Sequence, residues 1–204
     1  MRQVEYILDI AAPNGYLAWY PLREICRRYD ATLLVAPVFL GGMHKLTGNS
    51  PPMFRDADVK GKVEYAALEF RRFLDKHGMD RFRIHPDLPF NSILLQRLLL
   101  TVDGADRIRM VDALLPAVWE DNIDPADHSA IGSALAGAGF DADAVLKRTQ
   151  DEAIKQQLAR NTQDAVDRGA FGIPTFYVTT GEAQGEMFFG KERLGQIEEL
   201  LAAG

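Results

Sequence analysis

Val4 to Ile10 is a run of β-branched, aromatic and apolar residues, the pattern of a buried strand, and it ends at Asp9-Ile10. The turn Ala11-Ala12-Pro13-Asn14-Gly15 follows, with Pro13 suited to the first turn of a helix. Leu17, Trp19, Leu22, Ile25 and Cys26 then recur at roughly helical spacing out to about Tyr29, and Pro21 among them predicts a kink or a late start. Thr32 to Val38 is a second short apolar strand, so the opening reads β-α-β, a parallel pair with a right-handed crossover. The pattern then changes. Gly41-Gly42 and Thr47-Gly48-Asn49-Ser50-Pro51-Pro52 read as a long turn-rich loop.

From about Val59 to about Leu158 almost everything has helical periodicity. Val63, Ala66, Ala67, Phe70 and Leu74 make one amphipathic face, and Ser92 to Thr101, Asp106 to Trp119 and Asp141 to Leu146 give further helices. Gly78, Pro86, Pro89, Pro125 and Gly137-Ala138-Gly139 separate them, and Asp151 to Arg168 is one more long helix. Strand signals return at Thr175 to Thr180 and Glu186 to Phe189, a hairpin joined by the turn Gly181 to Gly185. Lys191 to Ala202 closes as a helix with Leu194, Ile197, Leu200 and Leu201 inward. The order β-α-β, helical block, α-β-β-α predicts an α/β thioredoxin fold with a large all-helical insertion. Residues 1–40 and 165–204 make the thioredoxin-fold domain, and 41–164 the insertion.

Composition narrows the function. A hydrophobic share of 47% with 25% charged residues is that of an ordinary globular domain. The net charge of −6 argues against nucleic acid or an anionic membrane as the main partner. No apolar run approaches a membrane span, and Met1 to Tyr6 lacks the apolar core of a signal peptide, so a cytoplasmic location is expected. The single cysteine, Cys26, excludes Cys-x-x-Cys redox chemistry. His44, His77, His85 and His128 lack metal-ligand spacing, and no metal is expected.

Three stretches, in order along the whole chain, resemble one family. Asp9-Ile10-Ala11-Ala12-Pro13-Asn14-Gly15-Tyr16-Leu17 is similar to the Asp-Phe-x-Ser-Pro-x-x-Tyr/Trp-Leu turn of the DsbA-like group. That group includes 2-hydroxychromene-2-carboxylate isomerases and kappa-class glutathione transferases. Gly48-Asn49-Ser50-Pro51-Pro52, with Lys62-Val63-Glu64-Tyr65 after it, resembles the group's Gly-Asn-x-Pro-Pro and Lys-x-x-Tyr elements. Gly169-Ala170-Phe171-Gly172-Ile173-Pro174-Thr175-Phe176, backed by Phe189-Gly190-Lys191-Glu192-Arg193-Leu194, is the third match. Asn14, Thr175-Phe176 and the Trp119 to Ile123 segment bring the chain nearer the isomerase branch.

The resemblance implies glutathione as cofactor, a small aromatic carboxylate as substrate and a homodimer. It implies a site where Ala12 and Asn14 meet Ile173-Pro174, with a cis bond before the proline. Asn49 and Lys62 would hold glutathione or the organic anion, with Lys60 competing for the lysine's part. Glu192 would bind the γ-glutamyl ammonium, and Lys191 and Arg193 the carboxylate. Trp119 and Asn122 would line the substrate cleft.

Each position also has a plainer reading. Asn14 caps a helix, Asn49 makes a turn, Lys62 is a solvated charge, Glu192 complements a helix dipole, and a lone tryptophan at helical spacing is core. One departure stands out. Where the family has a serine against the glutathione sulfur, this chain has Ala12, which has no hydroxyl, and Asn14 is the candidate substitute donor. The activity expected is a glutathione-dependent cis–trans isomerisation by reversible thiol addition. The alternatives are a kappa-like transferase or dehalogenase, or a non-catalytic binder.

Overall fold

The structure is a computed structural model that describes residues 2–181 and 185–204. Four strands, β1 (Arg2–Leu8), β2 (Thr32–Pro37), β3 (Thr175–Thr180) and β4 (Glu186–Phe189), form one sheet in the order β2-β1-β3-β4. β1 pairs β2 in parallel, with Gln3 opposite Thr32 and Leu8 opposite Pro37. β3 runs antiparallel to both neighbours, with Ile7 opposite Thr175 on one side and Thr175 opposite Phe189 on the other. The turn predicted at Gly181 to Gly185 includes 182–184, which lie outside the described residues.

Strand alternation decides which layer each side chain joins. Val4, Tyr6 and Leu8 of β1 and Phe176 and Val178 of β3 enter the larger core with Trp19 and Leu22 of α1 (Pro13–Arg28). Leu194, Ile197 and Leu201 of the last helix, α10 (Leu194–Ala203), join the same core. Tyr6 stacks on Phe176 with ring centroids 5.0 Å apart and on Trp19 at 6.0 Å. On the opposite face Ile7 and Tyr177 pack with Val38, Met43, Ala165 and Ile173. That second face is covered by α2 (Leu40–Thr47) and α9 (Glu152–Asp167). The expected boundary at 164/165 therefore falls inside α9, a helix that belongs to the sheet's own layers.

The remaining helices are α3 (Pro52–Arg55), α4 (Lys62–His77), α5 (Ile93–Leu100), α6 (Gly104–Trp119), α7 (His128–Gly137) and α8 (Ala142–Arg148). α1 runs through Pro21 without a late start. The stretch read as a loop from Gly41 is in fact helical as far as Thr47 and ends at Gly48, whose φ of 71° takes the left-handed conformation glycine allows. Two tertiary contacts explain the misreading. The Phe39 ring lies so close over Gly41 that a Cβ there would sit 2.8 Å from Cζ. The first α2 amide, Leu40 N–H, donates 2.7 Å to the carboxylate of Asp9, a cap from 31 residues away that no local motif announces. The final segment opens as a 3₁₀ turn, Lys191–Arg193, before α10 begins.

Candidate active site

Asp9 to Ala12 connects β1 to α1 at the carboxyl end of the parallel pair, the usual ligand position in such sheets. Ala12 occupies the N-cap with extended backbone (φ −91°, ψ 112°) and no side-chain cap. Asn14 is therefore not the cap. It lies inside the first turn, and its backbone N–H finds no acceptor among the described residues, nor does its side chain find a partner. A free amide at the positive end of a 16-residue helix favours an anion.

The second turn arrives against the first. Ile173-Pro174 is cis, as expected, and Leu88-Pro89 is a second cis bond that the sequence did not suggest. Ala12 and Ile173 share one apolar cluster, and a Cβ added to Gly15 would lie 3.5 Å from Ile173 Cγ2 and 3.3 Å from the Asp9 carbonyl. Gly15 is thus the residue that allows α1 to approach both strands. The Pro174 carbonyl accepts from Gly190 N–H at 2.9 Å, whereas the N–H and C=O of Ile173 find no partner among the described residues. That pair of backbone groups is free to meet an extended peptide.

Asn49 meets the second of these turns. Its Nδ2 donates 2.7 Å to the Phe171 carbonyl, and Oδ1 accepts from Ser50 N–H at 2.9 Å. The rim beside it is aromatic: the Phe171 and Phe189 rings stand 4.4 Å apart, and a Cβ on Gly172 would lie 2.9 Å from Phe189.

The other expected residues are placed differently. Lys62 opens α4 and bonds Asp56 at 2.8 Å, while Arg55 and Lys62 hold the Asp56 carboxyl well below the usual carboxylate range. Lys191 is 2% exposed, turned inward to Glu69 at 2.6 Å and to Glu192, with its ammonium over the Phe73 ring. It ties α4 to the start of α10 and is not presented to a carboxylate from outside. Glu192 is spent partly on Lys191. Arg193, exposed, lines a groove of about 700 Å³ between β4 and α10 with Met187, Phe189 and Leu200, on the outer edge of the sheet.

Trp119 corrects the expectation most clearly. It is fully buried, stacked on Phe82 at 5.6 Å, and its Nε1 donates 2.8 Å to the Ile10 carbonyl. It supports the site turn from below and does not line a cleft. Asn122, three residues on, has φ 52° and an Oδ1 that is buried without a partner among the described residues. Cys26 is buried, and burial pushes its thiol up to about 12.

Sequence reasoning passed over the groups that hold the turn. Gln96 of α5, fully buried, donates 2.6 Å to the Leu8 carbonyl and 2.8 Å to Val38, and accepts 3.1 Å from Ile10 N–H. Asp9, also fully buried, accepts from Ala11 N–H at 2.9 Å, Leu40 N–H at 2.7 Å and the Ser92 hydroxyl at 2.9 Å. For Gln96 the signal was one amide inside Ile93-Leu94-Leu95-Gln96-Arg97-Leu98; for Asp9 it was an acid at the end of an apolar strand that matches the first residue of the family's turn, with no role read from it.

Comparison with known proteins agrees with this architecture. The chain is 25% identical over 201 residues to 2-hydroxychromene-2-carboxylate isomerase of Sphingobium xenophagum, covering 98% of each chain. It is 27% identical over 213 residues to human glutathione S-transferase kappa 1, covering 98% of this chain and 91% of the relative. The solved structure of a selenomethionine 2-hydroxychromene-2-carboxylate isomerase superposes with a TM-score of 0.82 at 24% identity, over 98% of this chain and 95% of the other. The model of the DSBA-like thioredoxin domain matches residues 3–202, and the chain belongs to that family.

Proposed function

We propose that the chain is a glutathione-dependent cis–trans isomerase resembling 2-hydroxychromene-2-carboxylate isomerase, acting on an aromatic pyruvate-type carboxylate. The observation that carries the reading is the free Asn14 N–H at the start of α1, set beside the unpaired backbone groups of Ile173. A thiol borne on a peptide suits that combination: the helix end favours the thiolate, and Ile173 offers one N–H and one C=O to the peptide. When bound, glutathione supplies a thiolate nucleophile whose reversible addition to a conjugated carbon lets the former double bond rotate.

The chain's own part is to lower the thiol pKa and to hold the substrate. Ala12 brings no hydroxyl, so the Asn14 amide and backbone do that work. Asn49 steadies the Phe171 carbonyl beside the peptide. Arg193 is the exposed cation of the closing trio, while the half-exposed Lys62 ammonium keeps donors beyond its bond to Asp56.

Calorimetric titration with glutathione, followed by a spectrophotometric assay over ring-derived pyruvates, tests the reading. Asn14→Ala is expected to weaken glutathione binding on the order of tenfold, the value of one hydrogen bond to a charged sulfur. The variant keeps the backbone N–H, so unchanged binding and turnover overturn the role given to the Asn14 carboxamide. Turnover of electrophiles without isomerisation would make the chain a transferase or dehalogenase. Binding without any turnover would make it a binder, the alternative that Ala12 favours.

A cytoplasmic setting goes with this proposal, since glutathione keeps thiols reduced there. The helices of the described residues include none long and apolar enough to cross a membrane. We also propose a homodimer. The first half of α4 and the segment before it expose Phe54 (61%), Val59, Val63, Tyr65 (60%) and Leu68, apolar side chains of the kind that gather at protein contacts. Lys60 and Glu64, both exposed, add one charge of each sign beside them, so that a two-fold contact can bring opposite charges together. Light scattering should give twice the chain mass, and Val63→Asp with Leu68→Asp should give monomers. A monomeric wild type ends the proposal.

A further inference from the structure

The turn that carries the candidate site is held from beneath by a buried acid. Among the described residues Asp9 makes no ion pair. Its two oxygens are met by two backbone N–H groups and one hydroxyl: Ala11 in the turn, Leu40 at the first position of α2, and Ser92 just before α5. Its own carbonyl accepts from Ala12 N–H at 3.0 Å, and Ala12 in turn accepts from Gly15 at 2.8 Å and Tyr16 at 3.3 Å. One residue therefore connects the α2 N-terminus and α5 to the first turn of α1.

We infer that Asp9 is a positioning residue for the anion-binding end of α1, fixing the turn from which the Asn14 N–H projects. This rests on the reading of that helix end as the thiol site.

The identity of the three partners explains why an acid stands there. Ala11 and Leu40 offer obligate donors, so each carboxylate oxygen must accept one of them. An asparagine would turn its NH₂ toward one of those N–H groups and leave it unpaired. Ser92 is the adaptable member. Its hydroxyl donates to the charged carboxylate, and after rotation it accepts from a protonated one, so Asp9 can change charge while both N–H bonds stay in place. Burial raises the Asp9 carboxyl to about 6, partly offset by the bonds from Leu40, Ala11 and Ser92.

The titratable and charged groups nearest in sequence on the packed elements are Tyr6 and Glu5 on β1, Tyr16 on α1, His44 on α2 and Arg97 on α5. None of them bonds Asp9, and Glu5 is paired with Arg168. Below its midpoint Asp9 is neutral, and above it a negative charge lies under the α1 end. Hydrogen bonds to the charged form are stronger. The amides of Ala11 and Leu40 must therefore sense the titration directly, and Asn14 must sense it through Ala12.

The test needs no glutathione. In ¹H–¹⁵N spectra of the full chain followed from acid to mildly alkaline pH, Ala11, Leu40 and Asn14 should share one inflection near the Asp9 midpoint. Asp9→Asn should abolish it at Asn14. Ser92→Ala, which keeps the acid and the fold, should move it to higher pH, because the hydroxyl bond lowers the Asp9 pKa. A flat Asn14 amide, or an unmoved midpoint in Ser92→Ala, overturns the inference. Failure of glutathione to bind would instead remove the proposed activity and leave this result intact.

Discussion

Trp119→Ala is expected to lower unfolding stability by about 4–5 kcal/mol, the range for truncating a large, fully buried aromatic and leaving one acceptor bare. Its ring stacks on Phe82 and approaches Phe90 at 5.9 Å, and the Ile10 carbonyl takes its N–H at 2.8 Å. The loss is a large part of the total stability of most domains, so the melting temperature should fall by roughly 10–15 °C for a chain of this size. Trp119→Phe separates the two contributions: it keeps an aromatic face and loses the donor, for about 1–2 kcal/mol. Denaturant melts of the three proteins check this, and an alanine variant within experimental error of the wild type would mean the core closes without the ring. The functional effect follows from Ile10, which lies two residues before Ala12. Trp119→Ala should loosen the α1 entry even where the protein stays folded, while Trp119→Phe should keep most of the site.

The same residue shows what the sequence could and could not convey. The fold was legible because strand and helix periods are local: Val4 to Ile10, Thr32 to Val38 and Thr175 to Thr180 carry their period in adjacent residues, and all three are found as strands. The meeting of Ala12 with Ile173-Pro174 was legible because a thioredoxin order puts both turns at one sheet end. What stayed hidden is long-range hydrogen bonding. α2 depends on Asp9 for its cap, so Gly41-Gly42 read as a loop. Lys191 reads as an available cation until α4 folds over it with Glu69 and Phe73. Trp119 and Asn122, assigned together to a substrate cleft, become a core ring and a buried acceptor without a partner among the described residues. A pattern gives the face on which a residue lies. It does not give the partner that meets it there.

Gln96 is the sharpest case of a hidden partner, and its replacement should also be costly. Gln96→Leu keeps the volume and the helix propensity of α5, yet it leaves the Val38 carbonyl and the Ile10 N–H buried without partners; the Leu8 carbonyl retains Val38 N–H at 3.0 Å. Two orphaned backbone groups at roughly 1–3 kcal/mol each put the expected loss near 4 kcal/mol. Gln96→Glu tests the assignment by pH. One carboxylate oxygen can still accept from Ile10, but the other must face the Leu8 and Val38 carbonyls, an arrangement tolerable only when it carries a proton. Burial and those acceptors raise that carboxyl above its unfolded value, so its favourable contribution is present at low pH and lost as pH rises through the raised midpoint. The glutamate variant should therefore approach the wild type in mildly acidic urea melts and fall away from it at neutral pH. A pH-independent difference, or a leucine variant as stable as the wild type, would show that the carboxamide does not hold the strand ends. With both outcomes as expected, the insertion is the part of the fold that sets the site turn: α5 through Gln96, and α6 through Trp119, fix the backbone of Leu8 to Ile10 on which Ala12 and Asn14 stand.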